Sequence, residues 1–123
     1  MKYVMLIYET PQNLESRKDS GHDPYVAAWK AYHEALVAAG AYVSGAPLKD
    51  VATATTVRLK DGKRYVQDGP FAEAKEQLGG FAILDVATVD AAIEWAARCP
   101  ASASGAVEVR PIDVDYFANF VER

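Results

Sequence analysis

His33 and Asp68 are the residues whose types best suit proton transfer without a cofactor. His33 lies four positions after Trp29 and three before Leu36, so helical spacing sets it in an apolar stripe. A histidine withdrawn from water there stays neutral near pH 7 and can pass a proton. Asp68 stands where a strand ends, poised at a pocket mouth as a general base or ligand anchor. Each also has a structural use. An aspartate before Gly69-Pro70 caps a turn through its side-chain oxygen, and a histidine in an apolar stripe is commonly a core or interface residue.

Five further residues form a candidate ligand-binding set. Arg58 and Tyr65 face each other across a hairpin and can hold an anion, although cross-strand Arg–Tyr packing serves equally as structure. Phe71, Glu73 and Lys75 follow Asp68 in a stretch rich in turn formers and alternating charge. Such charges line a cleft or remain a solvated face with weak ion pairs. Two histidines, His22 and His33, and one cysteine, without clustered spacing, give no metal site. P-loop, dinucleotide-binding and nucleophile-elbow glycine patterns are all missing from the sequence. Cys99 sits at a helix C-terminus, where the dipole disfavours a thiolate. No cofactor is expected.

The elements that must position these residues follow from pattern. Lys2 to Tyr8 is an almost continuous apolar run, read as a central strand buried on both faces. Thr10 to Gly21 is polar and reads as a loop. Asp23-Pro24 opens a helix, with Asp23 as cap and Pro24 at the first position. Its predicted stripe is Val26, Trp29, His33, Leu36 and Val37, and Gly40 stops it. A short strand over Ala41 to Val43 follows. Asp61-Gly62 then turns a hairpin between Thr53–Leu59 and Arg64–Gln67. That turn sets the register: Arg58 faces Tyr65, Val57 faces Val66, and Thr55 faces Asp68. Phe81 to Val86 is a strand, with Gly79-Gly80 launching it. Thr88 caps a second helix with the stripe Val89, Ala92, Ile93 and Ala96, ended by Pro100. Val107 to Ile112 is the last strand, and Asp113 to Arg123 carries Tyr116, Phe117 and Phe120 as a short docking turn.

Two βαβ halves around a hairpin predict an α+β, ferredoxin-like βαββαβ fold with a β-hairpin insertion. Both faces of the central strands are apolar, so a homodimer is expected to cover the face that the helices leave open. The 123 residues fit a single domain spanning 1–123. The formal net charge of −4 weighs against nucleic acid or an anionic membrane surface as partner. No apolar run nears the roughly 20 residues of a membrane span. The N-terminal run lacks a small-residue cleavage site and reads as a strand, not a signal peptide. The lone cysteine fits a reducing cytoplasm.

The stretch Asp68-Gly69-Pro70-Phe71-Ala72-Glu73-Ala74-Lys75-Glu76-Gln77-Leu78-Gly79-Gly80-Phe81 resembles the signature of the DGPF-domain proteins, within the broader YCII-related group. The likeness runs nearly the whole chain, through Met1–Tyr8, Thr53–Arg58, Ala92–Ala96 and Val107–Pro111. It implies a dimeric α/β-barrel of ferredoxin-like protomers, bacterial and cytoplasmic. It implies a His–Asp pair, for which His33 and Asp68 are the fitting residues. It also implies a regulatory association, because many relatives are encoded beside extracytoplasmic-function sigma factors. The leading expectation is a pocket walled by the first helix, the hairpin and the signature. It would bind a small polar or carboxylated molecule, with proton transfer by Asp68 and His33 if it is turned over. The alternative is a non-enzymatic accessory protein that docks a sigma factor through the signature surface.

Overall fold

Alternation along the first strand sets the architecture. In a computed structural model describing residues 1–19 and 22–121, β1 (Lys2–Glu9) buries Tyr3, Met5, Ile7 and Glu9 in strict period two. The intervening Val4, Leu6 and Tyr8 are half-buried on the opposite face. α1 (Pro11–Glu15) and a 3-10 turn (Ser16–Asp19) follow, then α2 (Pro24–Ala38) and β2 (Tyr42–Pro47). β3 (Thr55–Lys60) and β4 (Lys63–Asp68) form the hairpin. β5 (Gln77–Asp85), α3 (Val89–Arg98), β6 (Ala106–Pro111) and α4 (Val114–Val121) complete the chain.

The main sheet is antiparallel in the order β2-β5-β1-β6, with β1 and β5 central, and the hairpin is a separate two-stranded sheet. This is the expected ferredoxin-like arrangement with its inserted hairpin. The core joins Met5, Ile7, Ala82 and Leu84 of the sheet to Tyr32 and Leu36 of α2 and Ala96 of α3. Both helices therefore serve one sheet face.

Local chemistry accounts for most boundaries. Asp23 accepts from the Tyr25 amide at 2.8 Å, and Thr88 accepts from the Ala91 amide at 3.2 Å, so both predicted caps are present. Asp61 and Gly62 have φ of 53° and 76°, the left-handed pair that a two-residue hairpin turn requires. The register pairs Arg58 with Tyr65, Val57 with Val66 and Thr55 with Asp68, as turn geometry dictates.

Several expectations are corrected. The polar stretch after β1 is helical from Pro11 to Asp19, with Ser20 and Gly21 outside the described residues: Thr10 caps α1 by accepting from the Asn13 amide at 3.2 Å. The second strand extends to Pro47. The α2 stripe is shifted. Tyr32 and Leu36 are buried, while Val37 is 53% exposed and His33 is exposed too. The inward side of α2 carries Tyr25, Trp29, Tyr32 and Leu36, which recur at i, i+4, i+7 and i+11; of the predicted stripe, Val26, Trp29, His33 and Leu36 share that lining and Val37 does not. On α3, Ala92 and Ala96 are buried but Val89 and Ile93 stand outside. Gly79 and Gly80 lie inside β5 rather than before it, and Val114–Val121 forms α4, not a turn, while Glu122 and Arg123 lie outside the described residues. No described helix is long and apolar enough to cross a membrane.

Candidate functional site

Between α2 and the sheet lies a cavity of about 380 Å³. Its walls follow from the two periodicities above. β1 contributes Met5, Ile7 and Glu9 from its helix-facing side. α2 contributes Tyr25, Val26, Trp29, Tyr32, His33 and Leu36. β2 adds Tyr42 to Pro47 in part, and β5 adds Gly79 to Ala82.

Aromatic rings make up one wall. Tyr25 and Trp29 meet edge to face at 6.4 Å, Trp29 and Tyr32 at 5.7 Å, and Tyr32 and Trp95 of α3 at 6.1 Å. Tyr32 is fixed by donating its hydroxyl to the Trp95 carbonyl at 2.7 Å. His33 packs its ring edge-on to Tyr42 at 4.7 Å.

One end of this cavity is polar. Glu9 holds the fourth core-facing position of β1 and is 2% exposed. An isolated buried carboxylate is costly, so it needs partners. Tyr25 donates to Oε1 at 2.6 Å, and the Arg17 guanidinium meets Oε2 at 2.8 Å through Nη2. Arg17 also donates to the carbonyls of Gly79, at 2.8 Å, and of Leu48. One side chain thus ties the 3-10 turn, β5 and the chain after β2 to the buried carboxylate. Burial, then the neighbouring carboxylate, raises the Tyr25 pKa well above the usual phenol value, so Tyr25 is a donor and not a base.

Gly79 makes room for this cluster. The β1–β5 register slips there, with Ile7 opposite Gly80 and Tyr8 opposite Leu78. A Cβ at Gly79 would collide with the Glu9 carboxylate and crowd Leu14 at 3.1 Å and Arg17 at 3.2 Å. Beside the Tyr25 hydroxyl lies Trp29 Nε1, close enough to favour the phenolate slightly. It is buried and has no partner of hydrogen-bond geometry among the described residues.

The sequence-predicted residues divide. His33 lines the cavity, though it is exposed and not withdrawn from water. Asp68 ends β4, is exposed, and accepts no side-chain hydrogen bond among the described residues. Arg58, Tyr65, Phe71, Glu73 and Lys75 are exposed and stand off the cavity lining. Arg58 lies over the Phe71 ring at 5.4 Å, so these two meet each other. The hairpin is not a wall of this cavity, because its strands form their own sheet. The signature reaches the cavity through its far end, Gly79-Gly80-Phe81. Cys99 is buried, and burial raises its thiol to about 11, consistent with an unreactive cysteine. Among the described residues no three His, Cys, Asp or Glu side chains cluster as a metal would need.

Sequence reasoning missed Glu9, Arg17 and Tyr25. Glu9 was detectable, since it continues the phase of Tyr3, Met5 and Ile7 into a polar residue. Tyr25 was detectable from its spacing to Trp29, Tyr32 and Leu36. Arg17 carried no local signal.

The chain is 32% identical over 114 residues to an uncharacterized protein of Rhizobium meliloti (strain 1021), covering 91% of this chain and 92% of that one. Among solved structures it is similar to 5-chloro-2-hydroxyhydroquinone dehydrochlorinase (TftG) from Burkholderia phenoliruptrix AC1100, in complex with 2,5-dihydroxybenzoquinone. That likeness has a TM-score of 0.53 and 21% identity, over 92% of this chain and 94% of the other, and shows a shared fold. The model of the YCII-related domain matches residues 1–114, and the chain belongs to that family.

Proposed function

We propose that this chain is a small-molecule-binding protein of the bacterial cytoplasm, and that its ligand is a flat, largely apolar ring compound with a polar group. The observation that carries this reading is the cavity itself. Its volume of about 380 Å³ falls in the range of ligand pockets. Trp29, Tyr32 and Tyr42 offer ring faces and edges, and the Glu9–Arg17–Tyr25 cluster offers one polar end. The ligand in the similar dehydrochlorinase structure is a hydroxylated six-membered ring. A ring of that size suits this cavity.

Where binding leads to reaction, His33 is the proton-transfer group at the cavity wall, and Asp68 is its proposed partner. Asp68 would have to reach a cavity from its hairpin, which a homodimer can provide. The half-buried sheet face of Val4, Leu6, Phe81 and Ile83 supports such a homodimer. Arg58, Tyr65, Phe71, Glu73 and Lys75 would then belong to the hairpin's contact surface.

Ligand-observed NMR and tryptophan fluorescence against a panel of monocyclic aromatics test the reading. Saturable binding is expected, and Val26→Trp, which plugs the cavity from α2, is expected to abolish it with the fold intact. Binding by no ring compound, or binding untouched by Val26→Trp, would overturn it.

A second reading draws on the exposed signature and hairpin. Phe71 is 74% exposed and Leu59 76% exposed, as a protein-docking surface would be. In this reading the chain is an accessory protein of an extracytoplasmic-function sigma factor. Reversing the charges of Glu73 and Lys75 should then abolish co-purification with that factor; unchanged co-purification counts against it.

A further inference from the structure

The polar end of the cavity holds two hydrogen-bonding groups that its own neighbours leave unspent. Glu9 is the acceptor. A carboxylate offers about four acceptor positions, and among the described residues Tyr25 and Arg17 take one each. Trp29 Nε1 is the donor, buried and unpartnered among the described residues. It lies beside the Tyr25 hydroxyl, which itself contacts Glu9. Buried polar groups are nearly always paired, so an orphan donor and an underused carboxylate on the lining of one cavity, with Tyr25 between them, form an arrangement that a ligand can complete.

The two groups define their complement. The occupant needs a hydrogen to give Glu9 and a lone pair to receive the Trp29 N–H. A ring hydroxyl has both on one oxygen. An ether has only the lone pairs. A carboxylate has no hydrogen to give and adds a second negative charge beside Glu9. Arg17 does not offset that charge, because its guanidinium is already paired with Glu9. Tyr25 does not compete for the ligand's proton, because it is held as a phenol and points its own hydrogen at Glu9.

We propose that Glu9 and Trp29 form a hydroxyl-selective anchor, so that the cavity takes neutral hydroxylated rings in preference to O-methylated or carboxylated ones. The proposal rests on the reading of the cavity as a ligand site, and it narrows the expected ligand from a polar or carboxylated molecule to a neutral hydroxylated one.

The test compares resorcinol, 1,3-dimethoxybenzene and benzoate on the full chain near pH 7, by ligand-observed NMR titration. Resorcinol is expected to bind at least about tenfold more tightly than its dimethyl ether, as a hydrogen bond to a charged group implies. Benzoate is expected to bind more weakly than resorcinol. Trp29→Phe keeps an aromatic wall and should weaken resorcinol and its ether alike, because both oxygens accept the indole N–H, so the preference set by Glu9 should persist. Glu9→Gln should erase much of that preference, but it strands Arg17 and can fail to fold, so the wild-type comparison carries the decision. Equal binding of resorcinol and its ether, or tightest binding by benzoate, overturns the anchor and leaves the cavity reading standing. Binding by none of the three overturns both.

Discussion

Tyr25 Oη donates to Glu9 Oε1 at 2.6 Å, joining the first turn of α2 to the last residue of β1. The bond places a phenol and a carboxylate at one end of an aromatic cavity, and burial keeps the phenol protonated. Its consequences extend to stability.

Tyr25, Tyr32 and Cys99 all have raised pKa values, with burial the first cause in each. Each group therefore stabilises the fold below its unfolded pKa and loses that contribution as pH rises through its folded pKa. For Cys99 the window runs from 9.0 to about 11, a difference of about 2–3 kcal/mol at most. For the tyrosines it opens near pH 10. Thermal unfolding against pH should show a midpoint that these groups leave level up to about pH 9 and lower above it. Cys99→Ala should make the fall between pH 9 and 11 shallower.

Arg17→Ala should destabilise the chain by about 3 kcal/mol, the low end for breaking a buried pair, because Arg17 is itself 35% exposed. The loss reflects Glu9 left with Tyr25 alone and two carbonyls released. Urea unfolding measures it, and a change below about 0.5 kcal/mol would place the pair among inconsequential surface ion pairs.

Gly79→Ala should cost about 1–3 kcal/mol, in the manner of an overpacked core, and should weaken ring binding by displacing the Glu9 carboxylate. Gly62→Ala also destabilises, through its φ of 76°, but should leave binding unchanged because the hairpin is not a cavity wall. Chemical denaturation paired with NMR titration separates the two effects.

Tyr32→Phe removes the hydroxyl that bridges α2 to the Trp95 carbonyl. About 1 kcal/mol of stability should go with it. Ring shape is kept, so selection between resorcinol and its ether should persist. Loss of that selection would mean that Tyr32, not Glu9, reads the hydroxyl.

Asp68→Asn should leave stability within about 0.5 kcal/mol, because the residue is exposed and accepts no side-chain hydrogen bond among the described residues. A larger drop in the thermal midpoint would restore the turn-capping role. An unchanged midpoint with altered ligand turnover would support its proposed proton-transfer role.

The amino-acid sequence alone determined what depends on neighbours in the chain. Asp61-Gly62 dictated the hairpin register down to Thr55 opposite Asp68, because a two-residue turn leaves no freedom of pairing. Asp23 and Thr88 announced both main helices, because a cap is a contact over two or three residues. Strand and helix order sufficed for the ferredoxin-like fold. The tertiary structure alone decided the cavity. Glu9, Arg17 and Tyr25 meet only after α2 packs on β1 and the 3-10 turn folds back onto β5. The clearance for their carboxylate comes from Gly79, 62 positions from Arg17. Contacts over such separations are set by burial of the apolar faces, which puts a polar residue in the core wherever its phase requires, and no local pattern marks its partners.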